Sequence, residues 1–319
     1  MFKSLLTALP VIGALALPAA AQSFPDHSLR IVHGFGAGGN ADTVARIIAE
    51  ELTQSLGQPV VVESRPGAGG TVASDYVSKQ DPDGYTMQLM VGGHAVAAGL
   101  YNQLPYDSLN DFTFISTIGQ FPFFVATQSG KYENIQALID AAKAGPGSIK
   151  VGHSGVGSTQ HLTGELLELN TGGDFLHIPY KGGAAAATAL MGGEVDVLID
   201  TGTVIEGQAA AGVFDKLAVT SAERWPDSPD VPTLAETVAP DFDVVSWTGI
   251  GMPAGVDPER AERIRADIHA ALAKPEVQEK ISALGATPAA SSGEEMLQLV
   301  TDQITVWTDV VNNAGIEKR

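Results

Sequence analysis

Along residues 29–91 the chain switches between two hydrophobic periods. LRIVHGF and PVVVES are short apolar runs of strand length. Between them, DTVARIIAEELTQSLG sets Val44, Ile47, Ile48, Leu52 and Leu56 on one helical face. Gly57 stands where a left-handed glycine ends a helix. RPGAGG then reads as a glycine turn, TVASDYVSKQ as a helix and YTMQLMVGG as a third strand. The region predicts a βαβαβ unit, the mark of a parallel sheet with helices on its faces.

After the irregular stretch YNQLPYDSLNDF, FTFISTIG and FPFFVATQ read as strands, and a second alternation begins. NIQALIDAAKAG is a helix, SIKVGHS a strand and QHLTGELLELNTG a helix. FLHIPY, AAAATALMGG, VDVLID, VIEGQAAAG and KLAVTS carry the pattern on. WTGIGMPAG is a late strand, followed by two long amphipathic helices, PERAERIRADIHAALAKPEVQEKISALG and EEMLQLVTDQITVWTDVVNNAG. Two α/β series with a late return to helices predict two lobes joined by crossing strands. No short-period repeat or long charge run appears.

The N-terminus, MFKSLLTALPVIGALALPAAAQS, departs from this pattern. One cation (Lys3), an apolar core from Leu5 to Leu17 and Ala19-Ala20-Ala21 make it a secretory signal peptide over residues 1–21. No later stretch reaches the ~20 apolar residues that span a bilayer, so the expectation is an exported, periplasmic protein. With zero cysteines among 319 residues, neither disulfides nor thiolate chemistry are available. A formal charge of -19 argues against nucleic acid or an anionic membrane as partner. It also means that an anionic ligand would have to be held by local dipoles.

Two loops are built to supply such dipoles. HGFGAGGNADT and GHSGVGSTQHL each follow a strand and open a helix, with glycines for close backbone approach. Asn40 or Asp42 can cap the first helix, and Ser154, Ser158 and Thr159 add hydroxyls in the second. Gly34, Gly36 and Gly39 also match the dinucleotide spacing G-x-G-x-x-G, and Glu63 stands where a ribose-binding acid would. Export, Thr43 at the position that close helix packing usually gives to Ala or Gly, and the lack of a proton-transfer pair weigh against an NAD-binding enzyme. GHSGVG is not G-x-S-x-G, because Val156 replaces the second glycine. The seven histidines are scattered in sequence, and no metal ligand set or cofactor is expected. His33, His94, His153 and His161 fall at or near strand ends and read as packing or capping residues.

Read together, these motifs resemble the Bug proteins, the solute receptors of tripartite tricarboxylate transporters. The resemblance rests on LRIVHGFGAGGNADTVAR, LGQPVVVESRPGAGG, DPDGYTMQLM, LPYDSLNDF, GHSGVGSTQHLTGELL, HIPYKGGAAAATALMGGEVDVLID, LAVTSAERWPDSPDVPTLAE and ALGATPAASSGEEM, which cover essentially the whole mature chain. It implies a two-lobed α/β "Venus flytrap" of the type II periplasmic-binding class, each lobe a mainly parallel sheet flanked by helices. Residues 22–120 and 247–319 would form lobe 1, and residues 121–246 lobe 2. It also implies a monomer, not an enzyme, that closes on a small carboxylic acid and presents it to integral membrane permease subunits. A sensor reporting its ligand to a signalling partner is the alternative. By resemblance, Phe35, Gly36, Ala37, Gly38, Gly39, Asn40 and Asp42 grip a carboxylate together with Ser154, Gly155, Gly157, Ser158, Thr159 and His161. Gly92, Gly93, His94, Tyr180, Lys181 and Asp200 line the rest. Family members often carry proline at the positions of His33, Gly36 and Ala37, so the first loop is looser here. Lys181 reads either as a surface lysine or as a partner for a distal carboxylate, Asp200 either as a cap or as a selector of amines. Arg65, before its Pro-Gly turn, reads as structural.

Overall fold

The periods of the first series fold into β1 (Leu29–His33), α1 (Asn40–Leu56), β2 (Val60–Ser64), α2 (Thr71–Ser78) and β3 (Thr86–Val91). The computed structural model describes residues 24–313 and 315–319, so the signal peptide read at 1–21 lies outside the described residues. β1 is flanked by β2 and β3, both parallel to it. α1 buries Val44, Ile48, Leu52 and Leu56 in a core shared with Ile31 and Leu89. It ends at Gly57 (φ 69°), whose N–H bonds the Thr53 carbonyl. The stretch after β3, read from sequence as a strand end, instead coils into α3 (Gly93–Leu100), which packs against a late helix.

β4 (Phe112–Pro122) closes this series. The second comprises β5 (Phe124–Gln128), α4 (Ile135–Ala144), β6 (Ile149–His153), α5 (Thr159–Thr171), β7 (Phe175–Pro179), α6 (Gly183–Met191), β8 (Val197–Asp200), α7 (Gly202–Ala210), β9 (Phe214–Val219) and α8 (Leu234–Thr237). The chain returns through β10 (Val245–Pro253), α9 (Pro258–Leu272), α10 (Pro275–Ser282), β11 (Thr287–Pro288) and α11 (Gly293–Asn313). The single helix read over α9 and α10 is broken at Pro275, which has no N–H to continue the ladder and opens a new helix instead.

Two sheets result, of order β11-β4-β10-β3-β1-β2 and β7-β6-β8-β5-β9. Each is mixed. β1, β2 and β3 run parallel, as do β6, β7 and β8, whereas β10 is antiparallel to β3 and β4, and β5 to β8 and β9. In each sheet the strand that enters from the other, β10 or β5, runs against both of its neighbours, which accounts for these antiparallel pairs. The two crossing segments are tied together at one point. Phe123 N–H donates to Thr220 Oγ1 (2.8 Å), Thr220 Oγ1 to the Val244 carbonyl (2.7 Å), and Val244 N–H to the Thr220 carbonyl (2.8 Å).

Candidate functional site

Four helices begin at one place between the sheets. A small cavity is lined by Gly39, Asn40 and Ala41 at the start of α1, Thr159 and Gln160 of α5, Gly183 of α6, and Thr201 before α7. Phe35, Val91, Phe121, Phe123, Ser154, Asp200 and Ser246 complete its walls. Each helix start carries unsatisfied backbone N–H groups and the positive end of a macrodipole. Their convergence supplies the local positive field that a chain of charge -19 lacks at long range.

The deepest polar group is an acid. Asp200, the last residue of β8, is 1% exposed. Its Oδ2 accepts from Ser154 Oγ (2.8 Å) and its Oδ1 from Thr201 N–H (2.8 Å). Gln160 Nε2 reaches both Ser154 Oγ (3.1 Å) and Asp200 Oδ1 (3.3 Å). Burial pushes the Asp200 carboxyl above its usual range, with bonds from Thr201, Ser154 and Gln160 opposing only in part. α6 approaches so closely that a Cβ at Gly183 would stand 2.4 Å from Asp200 Oδ2. The side-chain donors of Ser154 and Gln160 are therefore spent on Asp200, and this end of the cavity is walled by an acceptor group. The helix starts turn donors toward the cavity from the other sides.

The lobes clasp around this cavity through both backbone and side chains. Gly36 N–H donates to the Lys181 carbonyl (2.7 Å), and Thr203 Oγ1 to Asn40 Oδ1 (2.8 Å). Gly69 (φ 64°) lies against Gly157, where an added Cβ would meet the Gly157 carbonyl carbon at 2.5 Å.

Of the residues read from sequence, Phe35, Gly39, Asn40, Ser154, Thr159 and Asp200 meet at the cavity. Gly36 spends its N–H on the other lobe, and Ala37 and Gly38 form an exposed turn. Asp42 anchors that turn from beneath, accepting from Gly38 N–H (3.0 Å) and Arg46 (2.9 and 3.1 Å) and facing His33 Nε2 at 3.2 Å. Burial would raise its carboxyl, but Arg46 and the Gly38 N–H outweigh it and hold the group below the usual range. Gly155, Tyr180 and Lys181 border an adjoining, more open cavity with Gly34 and Gly67. Gly157 forms the lobe contact, and Ser158 caps α5, its Oγ accepting from His161 N–H (3.2 Å). Gly93 packs near the Gly69 carbonyl. His94 lies in the core, with Nε2 2.9 Å from the Ser108 carbonyl and its ring stacked on Tyr106. His161 packs against His153 and His177 instead of facing the cavity. Sequence reasoning passed over Ala41, Val91, Phe121, Phe123, Gly183, Thr201 and Ser246. The crossing strands FPFF and VSWTG carried the signal for three of them, because whatever crosses between lobes must floor the space between them.

Comparison with known proteins agrees with this geometry. Residues 44–316 match the family model described as tripartite tricarboxylate transporter family receptor. The chain is 34% identical to protein BugT of Bordetella pertussis over 95% of its own length and 94% of that protein's. Among solved structures, periplasmic binding protein BugD aligns with a TM-score of 0.89 at 34% identity, covering 93% of this chain and 100% of BugD. Rpa4515 of R. palustris, solved with adipate, aligns with a TM-score of 0.89 at 33% identity, covering 92% of this chain and 99% of that one. A two-lobed clamp whose cavity is ringed by helix starts is what a solute receptor requires, and the chain belongs to the tripartite tricarboxylate transporter receptor family.

Proposed function

We propose that this receptor captures a small carboxylate carrying a hydrogen-bond donor, an ammonium or hydroxyl group, and delivers it to the membrane subunits of a tripartite transporter. The observation that carries the reading is the convergence of four helix starts on one cavity that also contains buried Asp200. A carboxylate belongs at the helix starts, where N–H groups and dipoles favour negative charge by about 0.3–1 kcal/mol per terminus before hydrogen bonds are counted. A donor group belongs at Asp200, whose oxygens face the cavity as acceptors. Rpa4515 was solved with adipate, which supports the carboxylate half of the assignment.

Capture proceeds by lobe closure about the tie at Phe123, Thr220 and Val244, with residues on either side of the crossings forming the two lobes. One chain supplies both halves of the clamp, so a monomer suffices. The leader at 1–21 supports export, and BugD is described as a periplasmic binding protein. No residue set here is assigned a catalytic step.

A thermal-shift screen of mono-, di- and tricarboxylates, with and without an amino or hydroxyl group, tests the reading. A ligand at a hundredfold over its dissociation constant adds about 2.7 kcal/mol and raises the midpoint by several degrees. Silence across the panel, matched by calorimetry, refutes carboxylate capture. Equal shifts for compounds with and without the donor refute the role given to Asp200.

A further inference from the structure

Outside the cleft, the second lobe gathers three imidazoles that lie far apart in sequence. His153 ends β6, His177 sits on the parallel neighbour β7, and His161 lies on the first turn of α5, which packs over both strands. Each offers a nitrogen within 4.8 Å of the others. α5 adds Glu165 and Glu168, so that residues 161, 165 and 168 form an i, i+4, i+7 stripe, one that would ordinarily be apolar where a helix meets a sheet. Glu165 Oε1 lies 3.4 Å from His161 Nε2 and 3.9 Å from His177 Nε2, and Glu168 Oε2 lies 3.4 Å from His177 Nε2.

Two observations set this group apart from ordinary packing. His153 Nε2, His161 Nδ1 and both nitrogens of His177 are buried without a hydrogen-bond partner, although His153 is 0% and His161 5% exposed. Such orphaned groups are costly and are rare in folded proteins. The helix also makes room for the third ring, since a Cβ at Gly164 would stand 2.6 Å from His177 Cε1.

We propose that His153, His161, His177 and Glu165 form a binding site for a zinc-class divalent cation in the second lobe. Three imidazoles and one carboxylate are a donor set suited to tetrahedral zinc. Nitrogens bound at about 2.0–2.1 Å are spaced by about 3.3 Å, so the rings need to draw together by at most about 1.5 Å. His153 Nδ1 is engaged by the backbone of Gly155, 3.1 Å from its carbonyl and 3.3 Å from its N–H, while Nε2 has no hydrogen-bond partner and is free to ligate. Arg319 also faces the group, and Glu165 and Glu168 oppose its charge.

The test uses the full chain, purified without a histidine tag, stripped with chelator and titrated with zinc chloride alone. One zinc per chain by elemental analysis and calorimetry is expected, with a raised thermal midpoint. Cobalt(II) in its place should give the intense visible absorption of a tetrahedral centre. H177A and E165Q should weaken zinc binding by more than the ten- to hundredfold that loss of an outer-shell partner costs, and E165Q keeps the shape of the side chain should H177A fold poorly. Failure of the wild-type chain to take up zinc, or retention of full zinc affinity by E165Q, overturns the proposal.

Discussion

Gly69→Ala separates closure of the clamp from stability of the fold. At φ 64° Gly69 occupies the left-handed region, so alanine there costs about 1 kcal/mol whether the lobes are open or shut. The new Cβ would also stand 2.5 Å from the carbonyl carbon, 2.7 Å from the carbonyl oxygen and 2.9 Å from Ser158 N of the opposing loop. All three are backbone atoms, which cannot rotate aside as a side-chain tip can. The overlap therefore has to be relieved by parting the lobes, at an overpacking cost of about 1–3 kcal/mol charged to the closed form alone. At 1.4 kcal/mol per tenfold, ligand affinity should fall by about 5- to 140-fold. Gly57→Ala is the matched control, with φ 69° and nothing within 4 Å of the added Cβ. Urea unfolding of the ligand-free proteins and calorimetry with the best carboxylate from the screen give the two readouts. Both variants should lose similar stability, and only Gly69→Ala should lose affinity. Unchanged affinity in Gly69→Ala would refute closure onto the Gly69–Gly157 contact.

Asp200→Asn should weaken a ligand bearing an ammonium or hydroxyl group by about 10- to 140-fold, the worth of a buried hydrogen bond to a charged group, and barely affect its analogue lacking that group. Equal losses in calorimetry for the two ligands would count against it. The histidine group makes a prediction in pH. His161 is held at about 4 in the folded chain against about 6.5 unfolded, so the unfolded state binds the extra proton and stability falls as pH drops below about 6.5. Between pH 7.5 and 5.5 this contributes a loss on the order of 1 kcal/mol. Asp200 and Glu165, both shifted upward, act with the opposite sign, so the measurable quantity is the difference between wild type and His161→Asn in urea unfolding with chelator present. Parallel pH profiles for the two would refute neutral burial of His161.

Periodicity and glycine placement made the local elements legible. The 3.6-residue face of α1, its stop at Gly57 and the two strand–glycine–helix turns depend on neighbours within a few positions, and local sequence determines them. α3 and the break at Pro275 were harder. The apolar run into α3 has no helical face of its own to show, and amphipathicity continues across the proline.

The site divides in the same way. The loop HGFGAGG already specified a turn into a helix start, because glycines let a backbone approach its neighbours closely. Sequence did not specify that Gly36 would spend its N–H on the opposite lobe, or that Asp200 would absorb the donors of Ser154 and Gln160. The first depends on lobe docking, which pairs residues more than a hundred positions apart, and the second on packing within one lobe, where positions 154 and 160 meet position 200. The seven histidines looked scattered for a related reason. A parallel pair of strands and the helix over it bring positions 153, 161 and 177 to one spot, and only the register of β6 against β7 determines which rings meet. Sequence alone determined most of the helices and strands and the glycine turns that precede two of the helix starts. Tertiary structure decided which donors remain free, because that depends on what each group meets across the fold.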